Sequence, residues 1–440
     1  MLLCILPNQL FDQEFFPESV TKVVLWEHPD FFTKYNFNKK KLLLHRASMK
    51  YYFNYLQNYY KNSVYYVNFD EPFEYKEYMY FDPINNVEGF EKSKNMIESP
   101  NFFLTVAEYE TIYTNKISRS ISFTRYFYPK CKEKFNFLVD IDSTDKDNRQ
   151  TFNNSIEINE LPKFRNKQYI NEAIDYVNAH FKQNIGNTDN FIFPINRNNA
   201  KVWLYHFIEK NLTLFGTYQD AFNTEHDNMF HSILSSSLNI GLINPNDIIE
   251  QLRKVKNKVP INSLEGYVRQ LCWREFQRYC YIYYYNDLAN TNFFGLSNQI
   301  QVNDKWYTGS TNILPIDNCI RKAMDTAYLH HIERLMIIGN FMVLSEISPR
   351  EGHRWFMEFA IDSYEWVMLQ NVYDMVFHNG NGLTTYKPYI TSNEYIIKMS
   401  NYSRKLDWNE KWKSMYISFL QKHKKQLMKY KYHFRLLKSI

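Results

Sequence analysis

The hydrophobic period of this chain changes along its length, and that change constrains the fold more than any motif. Upstream of about residue 130, short apolar runs of strand character alternate with a helical pattern. LLCILP, KVVLWEH (Lys22–His28), SVYYVNF (Ser63–Phe69) and NFFLTVAE read as strands, and KKKLLLHRASMKYYFNYLQNYY reads as a helix. Strand–helix–strand order predicts a parallel α/β sheet. After Pro194 the spacing becomes helical. NAKVWLYHFIEKNLTLFG ends near Gly216, and PNDIIEQLRKV follows with a capping start. SLEGYVRQLCWREFQRYCYIYYY, DNCIRKAMDTAYLHHIERLMIIGNFMVL and EGHRWFMEFAIDSYEWVML read as three long amphipathic helices. The text between is polar and rich in Asn and Asp, as a connecting segment is. The expected organisation is an α/β domain over 1–130, a linker over 131–193 and a helical domain over 194–440.

Composition supports two folded units. Of 440 residues, 45% are apolar and 22% charged, which excludes global disorder. No GxGxxG or GKS/T follows any predicted strand, so nothing supports a dinucleotide or P-loop reading. Five cysteines without CxxC spacing argue against a disulfide framework or a zinc site. The opening MLLCILPNQLF lacks a basic leader region and reads as a buried strand, and no run is long and apolar enough to span a membrane. A soluble, intracellular monomer is expected, with cytoplasm, nucleus and virion not distinguished.

A net charge of +5 does not define a nucleic-acid binder, but its distribution is informative. Lys422 to Lys438 holds seven basic residues and no acid, and SRSISFTRYFYPKCKEKF (Ser118–Phe135) mixes basic and aromatic side chains. Such mixtures suit phosphate contacts combined with base stacking, and equally a solvated basic surface.

The stretch YLHHIERLMIIGNF, Tyr328 to Phe341, places two histidines inside a helix-like apolar run. On a continuous helix His331 shares a stripe with Tyr328, Leu335 and Ile338, so it is expected to point inward, whereas His330 lies over Arg334 in a more polar sector. An inward histidine is either a hydrogen-bonded core residue or, at a cavity, a proton donor near neutral pH.

CWREFQRY (Cys272–Tyr279) resembles the WREF helix of photolyases and cryptochromes, and FHSILSSSLNIG (Phe230–Gly241) is similar to their phosphate-binding turn. FGTYQDAF, VPINSLEGYVRQ, AYLHHIERLMIIGNF, DSYEWV, TYKPYI and YIIKMSNY follow the order of the bacterial-type (6-4) photolyases, also called iron–sulfur bacterial cryptochromes and photolyases. The resemblance runs from LPNQLF nearly to the C-terminus. It implies a Rossmann-like antenna domain, a linker and an all-α domain holding FAD, the photolyase/cryptochrome fold, acting on UV-damaged DNA under blue light. It puts Ser232, Leu234, Ser235, Tyr267, Gln270, Arg274, Arg334 and Asp362 at the cofactor, Trp273 at the lesion, and Trp355, with Trp366 as a spare, in electron transfer. Spacings of three and four residues set Tyr267, Gln270 and Arg274 on one helix face, which agrees.

The same resemblance makes His331 the acid for (6-4) photoproducts, with His330 beside it and Tyr389 on the lesion side. Repair of that lesion transfers a hydroxyl or amino group between pyrimidines and needs a proton as well as an electron, whereas splitting a cyclobutane dimer needs only the electron. The alternatives are a cyclobutane-dimer photolyase and a blue-light sensor without repair. The absence of a long tail after the helical domain speaks against the sensor.

The chain departs from the branch in several places. Cys319 matches the first ligand of the branch's iron–sulfur cluster, but Ser403, Leu406 and the neighbourhood of Glu410 replace the others. No cluster and no other metal is expected. Phe356 stands where relatives carry an oxidisable tyrosine, an outer relay residue falls near Trp306 or Tyr307, and Met368 occupies the position facing flavin N5. Pro7-Asn8 replaces Gly-Asp in the N-terminal motif. The branch binds a ribityl-lumazine antenna in that domain; an antenna is possible here, with Glu27 as a candidate contact.

Overall fold

A computed structural model describes residues 1–115, 122–152, 156–164 and 166–438; Ser118 to Ile121 of the basic aromatic stretch lie outside them. Five parallel strands form one sheet in the order β3-β2-β1-β4-β5. They are β1 (Leu2–Ile5), β2 (Lys22–Trp26), β3 (Val64–Val67), β4 (Met79–Phe81) and β5 (Met96–Ile97). Leu3, Cys4 and Ile5 pair with Val23, Val24 and Leu25, and all six side chains are buried, as expected of a sheet covered on both faces. At the end of β1, Gln9 Nε2 donates to Phe81 O (2.8 Å) and Asn8 Nδ2 to Pro83 O (3.1 Å), so the Pro7-Asn8 turn clamps β1 to β4.

NFFLTVAE is not a strand. Thr105 and Glu108 form a capping box that starts α2 (Val106–Thr114), so the segment turns into a helix where a strand is predicted. The short β4 and β5 lie in polar sequence with too few apolar residues to declare themselves.

Helix α1 (Lys39–Tyr60) covers the sheet and also ties it to the helical domain. Asn38 caps it by accepting from Lys40 N–H. The buried Lys41 ammonium donates to Ser363 O, and His45 Nε2 lies 2.9 Å from Tyr364 OH. The segment 131–193 is more than a linker. It contains most of α3 (Tyr128–Phe135) and all of α4 (Lys167–His180), and α4 packs on α1 through Ala173 and Val177. Arg46 of α1 reaches Glu172 of α4 and the fully buried Glu27 that directly follows β2, joining the layers.

The rest is helical: α5 (Arg197–His206), α6 (Leu212–Phe215), α7 (Ser235–Asn239), α8 (Pro245–Val255), α9 (Ile261–Ala289), α10 (Lys305–Thr308), α11 (Leu314–Thr326), α12 (Asn340–Leu344), α13 (Pro349–Phe359), α14 (Glu365–Met368), α15 (Asn393–Met399), α16 (Trp408–Lys422) and α17 (Lys424–Leu427). Wider π-type turns at Glu333–Gly339 and Leu369–Val376 lead into α12 and prolong α14. Gly216 is required where α6 meets α9, because a Cβ there would lie 2.5 Å from Ser263 N. Ser263 Oγ bridges that contact, accepting from Gly216 N–H and donating to Thr213 O.

Two of the long predicted helices are broken. The histidine run is split at Ala327, which ends α11 with a left-handed φ of 55°. Thr326 Oγ1 satisfies the turn, accepting from Tyr328 N–H and donating to Lys322 O or Tyr328 O. Residues Tyr328 to His330 belong to no helix, and the next helix opens at His331. The last long run is likewise interrupted between Phe359 and Glu365, and Asp362 sits in that interruption.

Candidate cofactor site and histidine cluster

The turn before α7 is held in an unusual backbone conformation. Ile233 has φ 54°, a left-handed geometry that costs a β-branched residue about 1–2 kcal/mol. It is buried, and the turn is fixed on both sides. Trp203 Nε1 donates to Ser232 O (2.9 Å), Tyr267 OH donates to Ser232 Oγ (3.1 Å), and Leu234 N–H lies 3.4 Å from the same oxygen. Strain retained at such a turn is the mark of a site that needs its groups in fixed directions.

Asp362 organises the opposite wall. It accepts from Ser235 Oγ at 2.6 Å and from Arg334 Nη2 at 3.1 Å on Oδ2, with Oδ1 2.9 Å from the same guanidinium nitrogen. Arg334 Nε donates to Leu329 O (2.6 Å), and Asn239 Nδ2 donates to Asp362 O (2.9 Å). Arg274 on α9 completes the ring of contacts, donating through Nε to Asn239 Oδ1 (3.1 Å) and through Nη1 to Asn101 O (2.7 Å). Its planar cation lies over Phe102 and Trp366, and burial pulls its pKa down to about 10, leaving it charged at neutral pH. Ser232, Leu234 and Tyr267 thus form one hydrogen-bonded group and Ser235, Asp362, Arg334 and Arg274, through Asn239, another, the two joined through the backbone of the turn at Ile233. Gln270 lies on the same helix as Tyr267 and Arg274 and is half-buried.

FAD carries a pyrophosphate, a ribityl chain and an isoalloxazine edge, all rich in acceptors. Beside the network, the buried Ser236 and Ser237 hydroxyls and Arg274 Nη2 have no partner within the protein. Unsatisfied buried donors of this kind are costly, and a polyanionic cofactor would satisfy them. The residues present fit the group.

The histidines correct the helical-wheel expectation. Because the helix is broken at Ala327 to His330, it is His330 that is buried, at 1% exposure, while the His331 side chain is 40% exposed. His330 is anchored through its backbone N–H to Glu333 Oε2 (3.1 Å), and Lys322 Nζ donates to both Glu333 oxygens at 2.9 Å. The sequence reading missed His231, the residue before Ser232. Its ring stacks on His331 at 5.4 Å and meets His330 edge-on at 4.4 Å. Burial, reinforced by neighbouring positive groups, pushes His231 and His330 well below the ordinary histidine range. His331 Nε2 lies 3.9 Å from Asp220 Oδ1. Tyr389 is half-buried and is not brought into contact with this cluster; burial raises its phenol pKa.

The remaining candidates separate. Trp273 is half-buried and its ring is stacked on Phe123 at 3.7 Å. Trp355 is fully buried, donates from Nε1 to Trp306 O (2.8 Å) and meets the Trp306 ring at 6.1 Å. From Trp306 the rings of Phe341 (5.4 Å) and Trp412 (5.9 Å from Phe341) continue the series. Trp366 belongs to the Arg274–Phe102 cluster instead. Glu27 is not free to hold an antenna: its oxygens accept from Arg46 (2.9 Å), Tyr66 (2.6 Å) and Tyr176 (2.8 Å). Cys319 is buried, while Ser403, Leu406 and Glu410 are exposed.

A parallel α/β sheet domain docked on a helical domain, with these unpartnered buried donors in the helical half, defines a two-part α/β-plus-helical architecture fit to hold an anionic cofactor, and comparison with known proteins specifies it. Residues 3–87 and 74–193 match the model of the deoxyribodipyrimidine photo-lyase-related protein family, and residues 267–438 match the FAD binding domain of DNA photolyase. The chain belongs to the cryptochrome/photolyase family, in its bacterial photo-lyase-related branch. It is similar to a (6-4) photolyase of Agrobacterium fabrum, 34% identical over 287 residues, or 63% of this chain and 56% of that protein. The chain therefore matches little more than half the length of that relative. An uncharacterized protein, R855, of Acanthamoeba polyphaga mimivirus is 51% identical over 85 residues, covering 19% of this chain and 69% of the viral protein. A crystal structure of a bacterial class III photolyase from Agrobacterium tumefaciens shares the fold, with TM-score 0.60 and 13% identity over 97% of this chain and 91% of that one.

Proposed function

We propose that this protein is a light-driven, FAD-dependent DNA photolyase that repairs pyrimidine-pyrimidone (6-4) photoproducts, with His331 as proton donor. The observation that carries this is the half-exposed imidazole of His331. It opens onto solvent while its ring stacks on His231, the immediate neighbour of the cofactor-side turn. An acid for a flipped-out base needs this placement, reachable from the mouth yet held beside the cofactor.

When bound, reduced FAD supplies the light-excited electron. Ser232, Ser236, Ser237 and Arg274 would donate to its polar atoms, and Asp362, oriented by Arg334 and by the Ser235 hydroxyl that donates to it, would accept from it. His331 delivers a proton to the lesion, and Asp220 Oδ1 lies 3.9 Å from its Nε2. Tyr389 and Trp273 line the lesion side, and Trp355 with Trp306 forms the inner part of an electron path from the surface. Trp366 is better read as a support for Arg274. UV-damaged DNA is the partner, and the chain acts as a monomer without an iron–sulfur cluster. An antenna pigment in the α/β domain uses residues other than Glu27.

Relatives named deoxyribodipyrimidine photo-lyase, such as that of Buchnera aphidicola (26% identical over 231 residues), keep cyclobutane dimers as the competing substrate. Oligonucleotides carrying one defined (6-4) photoproduct or one defined cyclobutane dimer, incubated with the reduced protein in blue light, test the reading. Repair of the first supports it. Repair of the second alone reassigns the lesion, and repair of neither removes the repair reading.

A further inference from the structure

We propose that His231, His330 and His331 form a binding site for a divalent metal ion of the zinc type. One ring nitrogen from each lies within 4.8 Å of the other two, and among the described residues no other group of three potential ligands is brought together in this way. In a tetrahedral zinc site, with Zn–N about 2.0–2.1 Å, the donors stand about 3.3 Å apart. Small ring rotations close the difference.

Two of the three imidazoles lack a hydrogen bond, although His330 Nε2 lies 3.6 Å from Glu333 Oε2, a carboxylate already held by Lys322. Neither ring nitrogen of His231 nor of His330 makes a hydrogen bond, although the residues are 5% and 1% exposed. Buried polar atoms are seldom left in this condition, since each costs about 1–3 kcal/mol. Burial also keeps both rings neutral at ordinary pH, the form in which imidazole binds metal. Two imidazoles meeting edge-on at 4.4 Å can share at most one N–H···N bond, which leaves further nitrogens bare; a metal satisfies one on each ring at once.

The third ring supplies an entry path. His331 is 40% exposed, so an ion reaches the cluster through the mouth and meets the buried pair behind it. Asp220 Oδ1, 3.9 Å from His331 Nε2, stands ready as a fourth ligand or as the acceptor for a bound water. An all-nitrogen set selects Zn²⁺, Co²⁺, Ni²⁺ or Cu²⁺ and rejects Mg²⁺ and Ca²⁺, which demand oxygen ligands.

Ligation has a consequence that rests on the proposed function. A metal on His331 occupies the lone pair that otherwise carries the proton, so the loaded protein is switched off for (6-4) repair and a chelator switches it on. Metal binding itself needs neither light nor lesion and stands or falls separately.

The test uses flavin-containing protein, stripped with chelator and titrated in the dark with Co²⁺ and then Zn²⁺. Expected is one saturable ion per chain, with visible Co²⁺ bands that Zn²⁺ displaces and Mg²⁺ does not. His231→Phe and His330→Phe are each expected to weaken binding more than about a hundredfold. X-ray absorption of the zinc-loaded wild-type protein decides the matter without variants. Three imidazole nitrogens around zinc support the site; no saturable uptake, uptake indifferent to both substitutions, or a shell with fewer than three imidazoles overturns it. Full (6-4) repair by zinc-loaded protein would overturn the switch, and a protein inactive on (6-4) lesions that still binds zinc through three imidazoles would show that only the repair reading had failed.

Discussion

Arg334 Nη2 lies 2.9 Å from Asp362 Oδ1 across a break between two helices, and Ser235 Oγ donates to the other carboxylate oxygen at 2.6 Å. The side chains are 16% and 8% exposed, so this pair is largely removed from water. Taking away one partner of such a pair strands the other, at about 3–5 kcal/mol. Asp362→Ala is expected to lower stability by about 3 kcal/mol and to lose most bound flavin on purification. Asp362→Asn, which keeps the shape and one acceptor, should lose less of both. Thermal unfolding and the ratio of flavin to protein absorbance measure the two effects.

His331→Ala is expected to reduce (6-4) repair by at least a hundredfold, the usual contribution of a positioned general acid, while photoreduction of the flavin continues. Single-turnover repair of a defined lesion and flavin bleaching under blue light separate the two. Undiminished repair by this variant would remove His331 from the mechanism.

Stability should fall on acidification. His45 is fully buried against Tyr364 and its pKa is held down to about 3, chiefly by burial; His378, between Thr385 and Tyr430, is held at about 3 for the same reason. In the unfolded chain both titrate near 6.5. Between those values the unfolded state binds protons that the native state refuses, so stability is complete above about pH 6.5 and drains away as pH falls toward 3. Each unit of separation is worth about 1.4 kcal/mol. Buried Asp374, raised to about 6, opposes this between about pH 4 and 6, because its native form is the better proton binder there. Urea unfolding between pH 7.5 and about 4.5 should show a net loss, reduced by His45→Gln.

Near Tyr389 the surface carries a basic aromatic patch. Tyr386 and Tyr432 are each 78% exposed, Tyr386 meets His433 edge-on at 5.6 Å, Lys387 Nζ lies 3.4 Å from His433 Nδ1, and Lys431 lies over the Tyr432 ring. Binding of undamaged DNA should weaken steeply with salt, and Lys431→Ala should reduce the slope of log K against log salt by about one if it contacts a phosphate. Equilibrium titrations at several salt concentrations check this.

Iron should be close to zero in protein purified from iron-replete cells, since a cubane needs thiolates that Ser403, Leu406 and Glu410 do not supply. Stoichiometric iron by elemental analysis would contradict it.

Much of the architecture could be read from periodicity, because α1 and α9 carry long helical patterns that tertiary packing does not override, apart from a kink in α9 at Tyr284 (φ −128°, ψ 16°). The functional residues were harder to place for a related reason. Asp362 and the His330-His331 pair sit at interruptions in runs that look continuously helical, and neither interruption is marked by proline or glycine: Ala327 adopts the left-handed turn that a glycine would have announced. A wheel drawn through that break exchanges the inner and outer histidine. His231 was out of reach of any local pattern, since it joins the pair from about a hundred residues away, although it stood at the head of the quoted HSILSSS stretch.

On the proposed function, in which Trp273 meets the lesion, the ring stack of Phe123 on Trp273 bears on how selectively an opened helix is received. An indole face already covered by a phenyl ring offers an incoming pyrimidine an exchange of neighbours, with a gain limited to the difference between two similar stacks. A healthy base, which must also abandon its Watson–Crick partner, then finds little reward for leaving the duplex. A distorted one, already loosened from its neighbours, has less to give up, so discrimination begins before any photon is absorbed.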